Sequence, residues 1–357
     1  MDFKNILAAW YRDNKRELPW RETSNPYFIW ISEVILQQTR VVQGIGYYYR
    51  FIESFPTVKA LAGAKEDEVL KVWQGLGYYT RARNLHAASK LIMEKYDGKL
   101  PESYDELLKI RGIGPYSAGA IASFAFNMPV PAIDGNVYRI IARVFGLFAS
   151  PYTASGRREF FSLVNDLMDK KSPGSFNQAL LDFGALQCVP QSPSCSACPF
   201  ISYCYAFRNN MIASLPVKAK RIVPKNRFFT YLLIRFKEYT FIHKRNEKDI
   251  WHSLYEFPLI ESDKLPLPEE LRQLEDWQQL FKGCDARITY FSSPVKHQLS
   301  HQTILSQYVI VEISKVSAKL KSGYKCVENR SISNYSTPKL IDNFLAAEPA
   351  AKYFRKE

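Results

Sequence analysis

Four of the six cysteines fall within "CVPQSPSCSACPFISYC", as Cys188, Cys195, Cys198 and Cys204. Thiolates crowded in a C-x6-C-x2-C-x5-C run are ligands for a metal centre. Structural zinc takes four cysteines, and so does a [4Fe–4S] cluster; the spacing leaves both open. Disulfides are not expected in an intracellular chain. Cys284 and Cys326 stand alone and read as ordinary thiols. A second chemical feature is "RGIGPYSAG", residues 111–119. Glycine turns of this kind present backbone N–H groups to phosphate. A dinucleotide-binding turn follows a strand and carries a third glycine. Here the preceding segment is helical in pattern, and Ser117 stands at the third position. Pro115 suits the first position of a following helix. The reading is helix, turn, helix over 105–126, with Gly112 and Gly114 gripping a nucleic-acid backbone without reading its sequence. Further on, Asp134 precedes another apolar-periodic helix, where it suits an N-cap.

These groups must be held by the surrounding elements. Residues 1–205 read as helices with short breaks. "NPYFIWISEVILQQTRVV" is typical: Asn25 suits an N-cap, Pro26 the first helical position, and Ile31, Val34, Ile35 and Val42 recur near helical spacing. From 228 to 357 the pattern is strand-rich, as in "RFFTYLLIRF" and "TILSQYVIVEIS". Between them, 206–227 has two prolines, six Lys or Arg and no acid, and reads as a basic linker. The expected class is α+β, a helical domain followed by a smaller α/β domain. The net charge of +13 favours a polyanionic partner. The N-terminus does not read as a signal peptide, and no run of about twenty apolar residues would cross a membrane. The basic residues form no amphipathic face, so a membrane partner is not expected. The expectation is a cytoplasmic monomer, nucleoid-associated if bacterial.

The motifs, taken together, resemble the MutY-type adenine DNA glycosylases of the endonuclease-III-like helix–hairpin–helix superfamily. The resemblance rests on "LPWR" (18–21), "SEVILQQTRV" (32–41), "WQGLGYYTRARNL" (73–85), "GIGPYSAGAI" (112–121), "IDGNVYRIIAR" (133–143) and "ALLDFGALQC" (179–188), and covers nearly the whole chain. It implies removal of adenine mispaired with 8-oxoguanine or guanine in double-stranded DNA, after the base is flipped from the stack. It makes Glu33 the general acid and Asp134 the carboxylate that stabilises the sugar cation, with Asn136 supporting Asp134. Two carboxyl groups, one protonated and one ionised, suit glycosidic cleavage.

By the same resemblance, Trp20, Arg21, Leu36, Tyr116 and Gln178 line an adenine pocket. Gln38, Thr39, Leu76 and Tyr78 probe the lesion pair. Bifunctional relatives carry a Schiff-base lysine where this chain has Tyr116, which implies a monofunctional enzyme. The four-cysteine run is implied to hold one [4Fe–4S] cluster that staples the helical domain. Its 188–195 loop carries no Lys or Arg, so direct phosphate binding there is not expected. The C-terminal region resembles a Nudix-like domain without a metal-binding Glu-rich box. Its "KHQLSHQ" stretch offers Leu299, Ser300 and His301 as lesion contacts, with Leu299 where the family usually has Phe.

Overall fold

The structure is a computed structural model that describes residues 2–218, 223–246, 249–347 and 350–354, with residues 353 and 354 described by backbone alone. Residues 219–222 of the basic segment read as a linker lie outside the described residues. The chain divides into two compact units, one of residues 1–64 and 80–220, the other of 65–79 and 221–357.

The first unit is helical. Its core is built on the helix Gly135–Phe145, whose Val137, Ile140, Ile141 and Val144 are buried against Phe176, Leu180 and Phe183 of the helix Pro173–Leu186. Phe3 and Leu7 of the first helix, Phe3–Asn14, close the same core. Gly184 permits this packing, since a Cβ there would lie 2.5 Å from the Asn136 Cβ. The helix Pro26–Leu36 begins as its sequence signals: Asn25 accepts a hydrogen bond from the Tyr27 N–H at 2.9 Å, and Pro26 opens the helix. It ends earlier than its apolar spacing suggests. The Arg81 guanidinium takes the carbonyls of Val34, Ile35 and Gln37, and Gln38 turns the chain at φ 57°. Val42 therefore belongs to the next helix, Val41–Ser54, and is 91% exposed rather than in the core. The predicted helix, turn, helix is present as Tyr104–Leu108 and Pro115–Phe126. Gly112 turns between them at φ 88°, against the Asn84 side chain.

The second unit is a mixed-sheet fold. Its strands are β1 Lys225–Arg235, β2 Tyr239–Lys244, β3 Tyr255–Glu256, β4 Leu259–Ser262, β5 Ala286–Phe291, β6 Val295–Gln298, β7 Gln302–Ile313 and β8 Lys325–Glu328. β1 and β7 pair in parallel at the centre, β4 flanks β1, and β5 and β6 share the outer edge of β7. β3, β2 and β8 form a smaller antiparallel sheet. The "FFTYLLI" run lies in a central strand buried on both faces, which is why it shows no polar alternation. Phe229, Tyr231 and Leu233 face one core, Leu232 and Ile234 the other. The helix Lys339–Ala346 covers the first face with Leu340, Ile341 and Phe344. The short helices Pro268–Gln273, Glu275–Leu280 and Ala318–Gly323 cover the second with Leu271, Leu280 and Leu320. Among the described residues no helix is long and apolar enough to cross a membrane.

Candidate active site

The helix Pro26–Leu36 is buried nearly all round, so Glu33 in its interior enters the protein core at 5% exposure. A carboxylate is poorly solvated there, and burial pushes the Glu33 carboxyl up from 4.5 to about 7. A hydrogen bond from the Tyr116 phenol and the nearby Arg21 oppose the rise, while the negative charge of Asp134 adds to it. Burial likewise holds the Tyr116 hydroxyl well above its usual range, with Glu33 and Asp134 adding to the effect. The Tyr116 phenol is thus a neutral donor to Glu33, within the field of Asp134.

Asp134 caps the helix Gly135–Phe145, as its position suggests. One carboxylate oxygen accepts the N–H groups of Asn136 at 2.8 Å and Val137 at 2.9 Å. The other accepts the Asn136 side-chain amide at 2.7 Å. Burial raises the Asp134 carboxyl, and these three donors, with Arg139, oppose the rise. Arg139, one turn along the helix, fixes Asn136. Its guanidinium gives hydrogen bonds of 2.7 Å each to Asn136 Oδ1, to the Gly184 carbonyl and to the Cys188 carbonyl.

These groups surround one cavity of about 190 Å³. Glu33, Tyr116, Asp134 and Asn136 line it together with Trp20, Arg21, Leu36 and Gln178. The structure therefore brings together both carboxyl groups and all the residues assigned to an adenine pocket. Gln178 is oriented by a hydrogen bond from the Tyr11 hydroxyl at 2.9 Å. Arg21 is held by Asp182 through two hydrogen bonds of 2.7 and 2.8 Å, and Arg16 joins the same carboxylate. Asp182 is fully buried; although burial acts to raise its carboxyl, Arg21 and Arg16 bring it below its usual value. A second cavity of about 480 Å³ shares Glu33, Leu36, Tyr116 and Asp134 and reaches the surface at Gln38 and Gly114.

The remaining assigned residues divide. Thr39 lines the 190 Å³ cavity. Leu76 is buried at 7% exposure, whereas Tyr78 is half-exposed with φ 48°. In its present conformation Leu76 does not reach the surface as a probe would. The β6–β7 hairpin carries Leu299, Ser300 and His301 at its tip. Leu299 packs inward against the core of its unit, while Ser300 and His301 are exposed. The Ser300 hydroxyl lies 2.8 Å from the Tyr78 hydroxyl. Sequence reasoning does not single out Asp182, Arg139 or Arg16. Asp182 does lie within "ALLDFGALQC" and Arg139 within "IDGNVYRIIAR", so the motifs contain them.

None of the four clustered cysteines forms a disulfide, nor do Cys284 and Cys326. Burial pushes the Cys198 thiol to about 11, opposed by the Phe200 N–H, with the other three thiols adding to the rise. The Phe207 and Ala206 N–H groups face Cys204, and an Arg143 nitrogen lies 3.6 Å from the Cys188 sulfur. Among the described residues no three His, Cys, Asp or Glu side chains converge as a single metal ion requires.

A buried acid, a capped carboxylate and a helix–turn–helix beside one cavity define the class. Residues 31–164 match the HhH-GPD superfamily of base excision DNA repair proteins, and residues 230–347 match the NUDIX domain family. A thermostable thymine-DNA glycosylase structure matches at 25% identity and TM-score 0.55, covering 58% of this chain and 95% of that one. Endonuclease III in a trapped covalent complex with DNA matches at 25% identity and TM-score 0.51, covering 58% and 94%. The chain is thus a base excision repair DNA glycosylase with a C-terminal Nudix-like domain. More narrowly, it is 35% identical to the adenine DNA glycosylase of Buchnera aphidicola subsp. Baizongia pistaciae over 88% of this chain and 87% of that protein. The chain belongs to the adenine DNA glycosylase family.

Proposed function

We propose that the chain excises adenine opposite 8-oxoguanine or guanine in double-stranded DNA, acting as a monomer and leaving an abasic site. The observation that carries this reading is Glu33, a buried acid with its carboxyl raised to about 7, hydrogen-bonded to Tyr116 and facing Asp134 across one cavity. A group poised there gives up and regains a proton near neutral pH. In the reaction, Glu33 donates its proton to the flipped adenine. The bond from the base to C1′ breaks with its electron pair going to the base. The Asp134 carboxylate stabilises the sugar cation, fixed by Asn136. Water then adds to C1′, and the Glu33 carboxylate takes its proton. Trp20, Arg21, Leu36 and Gln178 hold the base. Gly112 and Gly114 grip the DNA backbone, and Gln38, Thr39, Tyr78, Ser300 and His301 read the lesion pair.

Tyr116 supports a monofunctional outcome, because a phenol forms no Schiff base with the sugar. Cys188, Cys195, Cys198 and Cys204 would hold one [4Fe–4S] cluster. The backbone N–H donors at Cys198 and Cys204 and the Arg143 cation beside Cys188 suit four thiolates. When bound, the cluster would supply a structural tie, outside the reaction. Replacing Cys198 with Ser is expected to remove the visible absorption of the cluster; a colourless zinc-bearing wild-type protein would overturn the assignment. For the catalytic reading, Glu33→Gln is expected to bind an adenine:8-oxoguanine duplex while losing adenine release in single-turnover assays. A near-normal rate in that variant removes Glu33 from the mechanism.

A further inference from the structure

The second unit includes a segment distant in sequence, residues 65–79. Its helix Glu66–Trp73 buries Val69, Leu70 and Trp73 on one side. Asp67, Lys71 and Gln74 recur at helical spacing, a single polar stripe, and each meets the C-terminal region. Asp67 pairs with Lys244 at 2.5 Å and accepts the Tyr255 hydroxyl at 3.2 Å. Lys71 donates to the Ser333 carbonyl at 2.5 Å. The Gln74 amide donates to both oxygens of Asp342, at 2.8 and 2.9 Å, and Thr337 also donates to that carboxylate.

Gln74 is the last residue before a demanding turn. Gly75 at φ 95°, Gly77 at φ 75° and Tyr78 at φ 48° put three of four consecutive residues in the left-handed region, which a tyrosine seldom adopts. Inside the turn, the Trp73 indole donates to the Gly77 carbonyl at 3.0 Å, and the Gly75 N–H to the Tyr79 hydroxyl at 3.2 Å. Its tip bonds Ser300 of the β6–β7 hairpin through Tyr78. The turn is therefore tied to the C-terminal region at its base, through Asp342, and at its tip, through Ser300.

We infer that Asp342 is a positioning residue for lesion recognition: by holding Gln74 it sets where the Tyr78 hydroxyl meets Ser300, and so tunes discrimination between 8-oxoguanine and guanine opposite the target adenine. The inference rests on the reading that Tyr78 and Ser300 face the lesion pair. Asp342 itself need not touch DNA. Its effect falls on the preference between lesion pairs, with no proton or bond passing through it.

The test uses the full chain and single-turnover adenine release from duplexes carrying adenine opposite 8-oxoguanine or guanine. Asp342→Ala is expected to lower the rate ratio about tenfold, the loss falling mainly on the 8-oxoguanine duplex, because a doubly used charged acceptor is removed. Gln74→Ala removes the same bonds from the other partner and is expected to give the same change. Asp342→Glu, which keeps a carboxylate, is expected to restore most of the preference. The inference is overturned if both alanine variants keep the ratio within about twofold of wild type, or if both lower the two rates equally, as a folding defect would. Ser300→Ala and Tyr78→Phe separate the levels. A lower ratio in these two with an unchanged ratio in Asp342→Ala removes only the role of Asp342. No change in any variant, or no adenine release by the wild type, removes the lesion-facing reading and the inference with it.

Discussion

Replacing Glu33 with Gln should stabilise the protein above neutral pH while abolishing its chemistry. Glu33 is 5% exposed and its carboxyl is raised from 4.5 to about 7, mainly by burial. That change corresponds to about 3 kcal/mol, since each pH unit is worth about 1.4 kcal/mol. The sign follows from linkage. Between the unfolded and folded values the folded state binds the extra proton. The stability this contributes is fully present below about pH 4.5 and is lost as pH rises through about 7. At pH 8 the wild type holds a buried carboxylate that the Gln variant lacks. Gln keeps the shape and an acceptor for the Tyr116 hydroxyl. The helical unit of the variant should then melt roughly 6–12 °C higher than wild type at pH 8, at about 2–4 °C per kcal/mol for a unit of this size. At pH 4.5 the difference should shrink towards zero. The assay is thermal unfolding of both proteins at the two pH values, followed by circular dichroism at helical wavelengths. Equal melting temperatures at pH 8, or a difference that does not vary with pH, would refute the reasoning that Glu33 is held protonated by its surroundings. The same raised carboxyl should make wild-type adenine release decline as pH rises through about 7.

Arg139→Ala leaves Asn136 Oδ1 and the carbonyls of Gly184 and Cys188 without their shared donor. It should destabilise the helical unit by about 3 kcal/mol and slow single-turnover release about a hundredfold through a displaced Asn136. Arg139→Lys should rescue little, because an ammonium lacks the guanidinium fork. Gly184→Val would push on Asn136, because a Cβ at position 184 would stand 2.5 Å from the Asn136 Cβ. It should cost about 1–3 kcal/mol in denaturant unfolding and reduce kcat more than KM.

Local signals in the sequence are the readable ones. Asn25, Pro26, Asp134 and the Gly112 turn act within a few residues, so their types announce their conformations. Groups defined by distant partners are not readable in this way. Asp182 is buried only because Arg16 and Arg21, over 160 positions away, neutralise it, and Arg139 reaches from its own helix to the carbonyls of Gly184 and Cys188, over 40 positions away. The apolar spacing puts Val42 in the wrong helix because it continues past a stop that Arg81 imposes from outside. Leu76, which the resemblance assigns to probing the lesion pair, is buried at 7% exposure, and no local pattern announces that burial. Residues 65–79 read as one more stretch of the helical region, because side chains from 244 to 342 supply the contacts that group them with the second unit.

The most direct test of the central claim is product analysis after a single turnover on a duplex with adenine opposite 8-oxoguanine, with and without alkali, and with borohydride present. Hydrolysis by Glu33 and Asp134 beside a tyrosine predicts released adenine, strand breakage only after alkali, and no covalent trapping. Strand cleavage without alkali together with efficient borohydride trapping would contradict it.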